Sequence, residues 1–172
     1  MAIHRLNHAV LYVRDVARSV TFYRDVLDFD VITELGGKAA FLRADGSSND
    51  HDLGLFEIGA QAGASAAGRT TVGLYHLAWE VDTLRDLETL AERLASAGAL
   101  VGASDHSTTK SLYGADPDGL EFEIAWIVPA DLLDAATIEG RVQIRPLDLA
   151  REIARYGAET PGGVGISRAA VG

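Results

Sequence analysis

Apolar residues recur along this chain in two periods, and the order of those periods repeats. Leu6 to Val13 is short, apolar and rich in branched side chains, which predicts a strand. Val16, Val20, Tyr23 and Leu27 then recur at helical spacing, and Asp15 stands where its carboxylate can cap the first backbone N–H groups of that helix. Phe29 to Glu34 alternates like a strand, Gly36-Gly37 turns the chain, and Lys38 to Ala44 predicts another strand. Asp45 to Asp50 is a polar loop, and His51 to Ile58 predicts a fourth strand. Residues 59–72, rich in Gly, Ala, Ser and Thr, read as a flexible connection.

After that connection the pattern restarts. Leu74 to Val81 predicts a strand, and Thr83 with Asp86 forms a capping pair. Leu84, Leu87, Ala91 and Leu94 line one helical face, and Gly98 suits the C-terminal cap. Ala99 to Ala103, Lys110 to Gly114 and Leu120 to Ile127 predict three more strands, the last two joined by the turn sequence Asp116-Pro117-Asp118-Gly119. From Pro129 the pattern differs. Leu132, Leu133, Ala136 and Ile138, then Leu147, Leu149, Ile153 and Ala154, predict helical segments packed on the domain. Thr160-Pro161-Gly162-Gly163 opens a tail expected to be poorly ordered.

The restart is a repeat in sequence as well as in period. Shifting Leu6-Asn7-His8-Ala9-Val10-Leu11-Tyr12-Val13 by 68 positions superposes it on Leu74-Tyr75-His76-Leu77-Ala78-Trp79-Glu80-Val81, Leu on Leu, His on His and Val on Val. The expected fold is therefore α+β, with two tandem βαβββ modules over residues 4–59 and 73–128. These make one domain over 1–128, followed by a C-terminal helical extension and tail over 129–172.

Composition narrows the chemistry. The net charge of −10 argues against nucleic acid and anionic membranes as partners, because both require a basic face. The absence of cysteine excludes disulfides, thiolate ligands and a thiol nucleophile, so a metal must be held by His, Asp or Glu. No apolar run approaches the length of a membrane span and the N-terminus carries no apolar signal core, so the expected location is the cytoplasm.

His8 and His76 hold equivalent places on equivalent strands. Equivalent positions of two modules related by a pseudo-two-fold axis can meet at that axis, which makes the pair candidate metal ligands. A third ligand is expected from the last strand. There Glu121 and Glu123 are expected on opposite faces, with Glu123 inward as the ligand and Glu121 as a solvated charge. Two His and one carboxylate form the facial triad of non-haem Fe(II) oxygenases, although Zn, Mn and Ni sites use the same ligand types. His4 precedes the first strand and reads as a surface residue.

The strand with His8, its repeat with His76, and the run Asp116-Pro117-Asp118-Gly119-Leu120-Glu121-Phe122-Glu123 resemble the vicinal oxygen chelate superfamily over residues 6–127. That superfamily holds glyoxalase I, fosfomycin- and bleomycin-resistance proteins, methylmalonyl-CoA epimerase and type I extradiol dioxygenases. Its turn motif, D-P-D-G-N-x-x-E, ends in a metal-ligating Glu, here Glu123, with Leu120 in place of the usual Asn. The resemblance implies one cupped mixed sheet around a metal site. Asn49-Asp50-His51-Asp52, and the run from Asp105-His106-Ser107 through Lys110-Ser111-Leu112-Tyr113, are similar to single-domain extradiol (catechol 2,3-type) ring-cleaving dioxygenases. That likeness implies His51 as acid–base group and His106 and Tyr113 as hydrogen-bonding partners of the substrate oxygens. It also implies His8, His76 and Glu123 as ligands of Fe(II), or Mn(II), and a catechol and O2 as substrates. A homodimer or higher homo-oligomer is expected.

Two other classes stay open on sequence alone. A glyoxalase-like isomerase, epimerase or lyase needs a fourth ligand. The repeat offset carries Glu123 back to Leu55, with Glu57 two residues further on the same strand face as the candidate. A binding or resistance protein would use the fold without catalysis. Trp79, Phe41, Leu53 and Leu55 are expected to line an apolar pocket.

Overall fold

A computed structural model describes residues 2–3, 5–67 and 70–163; His4 and the tail from residue 164 lie outside the described residues. The chain divides into two compact units, Met1–Ser65 with Asp116–Gly119, and Ala66–Ala115 with Leu120–Gly172. The architecture is α+β, with the βαβββ order in both halves of the repeat and the strands laid out as two hydrogen-bonded mixed sheets.

In the first unit the strands are β1 (Ala9–Val13), β2 (Phe29–Leu35), β3 (Ala39–Ala44) and β4 (Leu53–Glu57), in sheet order β1-β4-β3-β2. β1 runs parallel to β4, while β3 is antiparallel to both β4 and β2. Helix α1 (Val16–Asp25) begins where Asp15 accepts from the Arg18 backbone N–H. It covers one face of the sheet. Leu11, Val13, Leu42, Leu53 and Leu55 are buried there with Val16, Val20 and Tyr23. The helical spacing read from the sequence is thus the spacing of the buried stripe.

β4 starts two residues later than the sequence predicts because Asp52 organises the preceding loop. Its carboxylate accepts from the Ala44 N–H, the Ser47 hydroxyl and the Asn49 amide, and its own carbonyl takes the first ladder bond from Ala9 N. The Asp116–Gly119 turn belongs with this unit through polar contacts. Asp118 accepts from the Arg14 N–H at 2.8 Å and pairs with the Arg14 and Arg18 guanidinium groups. The Tyr23 hydroxyl donates to Asp116 at 3.4 Å.

The second unit repeats the plan with β5 (His76–Glu80), α2 (Leu84–Ser96), β6 (Leu100–Asp105), β7 (Thr109–Ala115) and β8 (Glu121–Ile127). Thr83 and Asp86 form the reciprocal capping box. Gly98 adopts φ +66°, the left-handed conformation that ends such a helix without a Cβ clash. Sheet order is β5-β8-β7-β6, the order of the first unit, extended by a short strand β9 (Arg145–Pro146) on β6. Phe122, Ile124 and Trp126 are buried on the helix-covered face of β8.

The extension is less purely helical than its periodicity suggests. After a single 3-10 turn (Ala130–Leu132) come α3 (Ala135–Gly140), β9 and α4 (Leu149–Tyr156). The short β9 lies where no apolar alternation announces a strand; its place is set by the edge of β6. The residues that open the expected disordered tail are held in place. Gly162 N donates to Asp82 O, Gly163 N to Ile127 O, and Trp126 Nε1 to Thr160 O. Among the described residues no helix is long and apolar enough to cross a membrane.

Candidate functional site

Each sheet has one face covered by its helix and one open face, and strand alternation decides which side chains reach the open one. In β8 the faces separate cleanly. Phe122 and Ile124 are buried beneath α2, whereas Glu121 and Glu123 are both half-buried on the other side. The expectation that these two carboxylates point to opposite faces is therefore corrected: two positions apart on a strand is one full period, so they share a face.

Glu123 is the better engaged of the two. Its Oε1 accepts from the Ser111 hydroxyl at 2.5 Å, and its Oε2 lies 3.1 Å from His76 Nε2. Tyr113 is the direct cross-strand partner of Glu123, and its ring centroid lies 6.0 Å from that of His76. The Tyr113 hydroxyl is in turn 2.9 Å from His106 Nε2. Burial, reinforced by the negative charge of Glu123, pushes the Tyr113 phenol above its ordinary pKa and keeps it a neutral donor. The second unit thus collects His76, Glu123, Tyr113 and His106 on one open face, four of the six residues the sequence singles out.

The first unit holds the other two, His8 and His51, with ring centroids 4.6 Å apart. His51 also meets the Phe41 ring edge-on at 5.0 Å. In both histidines Nδ1 has a neighbouring acceptor, Asn7 Oδ1 at 2.8 Å for His8 and Asp50 Oδ2 at 2.9 Å for His51. An acceptor on Nδ1 selects the tautomer with the proton there. In that tautomer Nε2 is the nitrogen that carries the lone pair.

The donor chemistry fits a divalent metal. His76 Nε2 and Glu123 Oε2 approach to a distance at which two lone pairs need a shared proton or a cation between them. His76 Nδ1 is buried without a hydrogen-bond partner. Nitrogen and oxygen donors without sulfur suit Fe(II), Mn(II) and their neighbours. Among the described residues no three His, Asp or Glu side chains stand already gathered as a metal-binding group; the pair in the second unit is what the fold brings together by itself.

Sheet register corrects the counterpart of Glu123. Val10 pairs with Gly54 in the first unit, and Ala78, its repeat equivalent, pairs with Glu123 in the second. The equivalent of Glu123 is therefore Gly54, not Leu55. A constant offset of 68 fails because the paired positions of the first and fourth strands are 44 residues apart in the first repeat (10 to 54) and 45 in the second (78 to 123). Gly54 carries no side chain, and a Cβ there would sit in ordinary contact with Val10 and Phe41. Leu55 is fully buried on the helix-covered face, and Glu57 shares its face parity and is bound by Lys38 at 2.7 Å. The lining residues divide likewise. Phe41 pairs with Gly54 on the open face, whereas Leu53, Leu55 and Trp79 follow the helix-covered face of their strands. Ser111 is the site residue that sequence reasoning missed. Its signal was available in the period, because positions 111 and 113 share a face of β7.

Comparison with known proteins identifies the family. The family model of the Glyoxalase/Bleomycin resistance protein/Dioxygenase superfamily matches residues 5–124, which leaves the C-terminal extension outside it. The chain is 32% identical over 119 residues to a catechol-2,3-dioxygenase from Bacillus subtilis, an alignment covering 69% of this chain and 40% of that protein. It is 28% identical over 130 residues to a manganese-dependent 2,3-dihydroxybiphenyl 1,2-dioxygenase from Geobacillus genomosp. 3, covering 73% of this chain and 38% of that one. The chain thus spans about two fifths of the length of these curated relatives. Among solved structures, a glyoxylase/bleomycin resistance protein/dioxygenase domain from Frankia sp. EAN1pec superposes with TM-score 0.59 at 27% identity, over 72% of this chain and 92% of that one. The fosfomycin resistance protein FosX from Listeria monocytogenes shares the fold, with TM-score 0.54 at 21% identity over 72% of this chain and 93% of that one.

Proposed function

The chain belongs to the Glyoxalase/Bleomycin resistance protein/Dioxygenase superfamily, and from that premise we propose that it is a metal-dependent extradiol dioxygenase that opens the ring of a catechol with O2. The observation that carries the reading is the cluster on the open face of the second sheet, where a His76–Glu123 ligand pair stands beside the Tyr113–His106 hydrogen-bonded pair. An isomerase of this fold needs a fourth ligand, and the strand position that would supply it is Gly54.

In this reading His8, His76 and Glu123 hold Fe(II), or Mn(II) as in the manganese-dependent relative. When bound, the metal supplies Lewis acidity that makes a ring hydroxyl acidic at neutral pH, and a common place for the ring and dioxygen. The protein supplies the rest. His51, its Nδ1 held by Asp50, takes the hydroxyl proton at Nε2 and returns it later as general acid. Tyr113, kept protonated by burial and by Glu123, donates toward oxygen as negative charge develops there, and His106 supports it. Ser111 fixes which carboxylate oxygen of Glu123 remains available. Phe41, edge-on to His51, offers an apolar wall suited to an aromatic ring.

The test is reconstitution. The purified chain is loaded anaerobically with Fe(II), or with Mn(II), and then given 4-methylcatechol and air. A yellow ring-opened product is expected. No absorbance change across a panel of catechols, in protein shown to hold the metal, would sink the reading. His8→Ala should lose the metal, whereas His51→Ala should keep it and lose turnover.

A further inference from the structure

We infer that the C-terminal extension holds the His106 hairpin in position through a buried ion network, making Lys110, Glu152 and Gly140 positioning residues for the site. The inference rests on the functional reading above for what His106 does, but not for where His106 is held.

The hairpin tip between β6 and β7 contains His106, and both of its neighbours are tied to one cation. Lys110 is 1% exposed. Its ammonium donates to Asp105 Oδ1 at 2.5 Å and to the Ser107 carbonyl at 3.1 Å, so it closes the turn on either side of His106. Asp105 Oδ1 also accepts from the Ser107 N–H at 2.8 Å. Ser107 sits at φ +69°, a conformation that a non-glycine residue keeps only when its surroundings impose it.

Those surroundings come from the extension. Glu152 of α4, 2% exposed, brings its Oε2 to 3.0 Å from the Lys110 ammonium, an ion-pair contact rather than an aligned hydrogen bond. Arg151 bridges Glu152 at 2.9 Å and Asp105 at 3.5 Å, so two cations and two anions balance. β9 adds backbone pairing, Arg145 to Asp105 and Pro146 to Ser104. Gly140 of α3 packs so closely that a Cβ there would meet Ser107 Oγ at 2.6 Å. Three elements after residue 128 therefore converge on the residues flanking His106, all outside the stretch that the family model covers. A network that served stability alone could be replaced by apolar residues of similar volume, a change often neutral or stabilising for buried ion pairs. Such a replacement removes the donor that closes the turn, which separates positioning from packing.

The experiment uses the full chain carrying Lys110→Met with Glu152→Met, and separately Gly140→Ala. Thermal melting, the ring resonances of 13C-labelled His106 (assigned by their loss in His106→Gln) and, in metal-loaded enzyme, kcat and KM are read together. The expected result is a cooperative melt in both variants, with His106 ring resonances moved toward their positions in Tyr113→Phe. kcat should fall about tenfold, with KM unchanged. A folded variant whose His106 resonances stay at the wild-type positions overturns the inference. If the double substitution does not fold, Gly140→Ala is judged by the same resonances. If the wild-type chain turns over no catechol, the functional reading fails while the resonances still decide whether the extension places His106.

Discussion

The two units are built on one plan and have diverged on one face. Each runs βαβββ, each orders its strands first-fourth-third-second, and each covers one side of its sheet with a capped helix. The helix-covered sides are alike, with leucines, valines and aromatics at strand and helix periods. The open faces are not. In the second unit the last strand puts Glu123 beside His76, with Ser111 and Tyr113 across from it. In the first unit the same strand position is Gly54, and the face carries His8, His51 and Phe41 instead. The fold thus constrains the covered faces, where packing density penalises change, and leaves the open faces free to take up chemistry. The open face of the first unit carries two imidazoles with an acceptor beside each Nδ1, and that of the second carries a carboxylate with its hydrogen-bonding partner.

The largest test of that contrast is Glu123→Ala. It should lower metal affinity by more than about 100-fold, beyond the range for residues that merely support a ligand, measured by metal content after equilibrium dialysis. Gly54→Ala, at the equivalent place, should leave metal content unchanged. Retention of stoichiometric metal by Glu123→Ala would remove the asymmetry from the site. Ser111→Ala comes next, because it deletes a 2.5 Å bond to Glu123 without touching the carboxylate itself. Metal affinity or turnover should drop about 10-fold, with the melting temperature little changed.

Two glycines sharpen the comparison in stability rather than chemistry. A Cβ at Gly114, on the covered face of the second sheet, would lie 2.4 Å from the Phe122 ring, whereas a Cβ at Gly54, on the open face of the first, meets nothing closer than 3.4 Å. Gly114→Ala should cost about 1–3 kcal/mol by overpacking. Gly54→Ala should change stability by less than about 1 kcal/mol, with the sign favoured by strand propensity. Equal effects in urea unfolding would mean that the two faces do not differ as described.

The smallest expected effect is in acid. Burial works to raise the Asp118 carboxyl, but the Arg14 N–H and guanidinium together with Arg18 outweigh it, and its folded pKa lies below the ordinary value. A depressed carboxyl contributes stability that is fully present above its unfolded pKa of about 3.9 and is lost as pH falls through the lower folded value. The melting difference between wild type and Asp118→Asn should therefore be constant at neutral pH and shrink below about pH 4. A difference that grows in acid would contradict the assignment.

Much of this was legible without coordinates. Hydrophobic period gave the number, order and type of the eight main strands and two main helices, because burial on one face imprints that period directly on the chain. The repeat singled out His8 and His76 as a pair, and the turn motif singled out Glu123. The caps at Asp15 and Thr83 were readable because capping is a contact over three residues. The tertiary structure decided what depends on pairing between distant segments. A one-residue difference in the spacing between first and fourth strands moved the counterpart of Glu123 from Leu55 to Gly54, since register belongs to the ladder between β1 and β4 and not to either strand alone. Position 111 became a partner of Glu123 through the β7–β8 ladder. Lys110 and Glu152 became a buried ion pair across 42 residues, although each alone reads as a surface charge. Local period and capping are written in neighbouring residues; register, second partners and buried charge pairs arise only when strands and helices far apart in sequence are brought to a few ångströms.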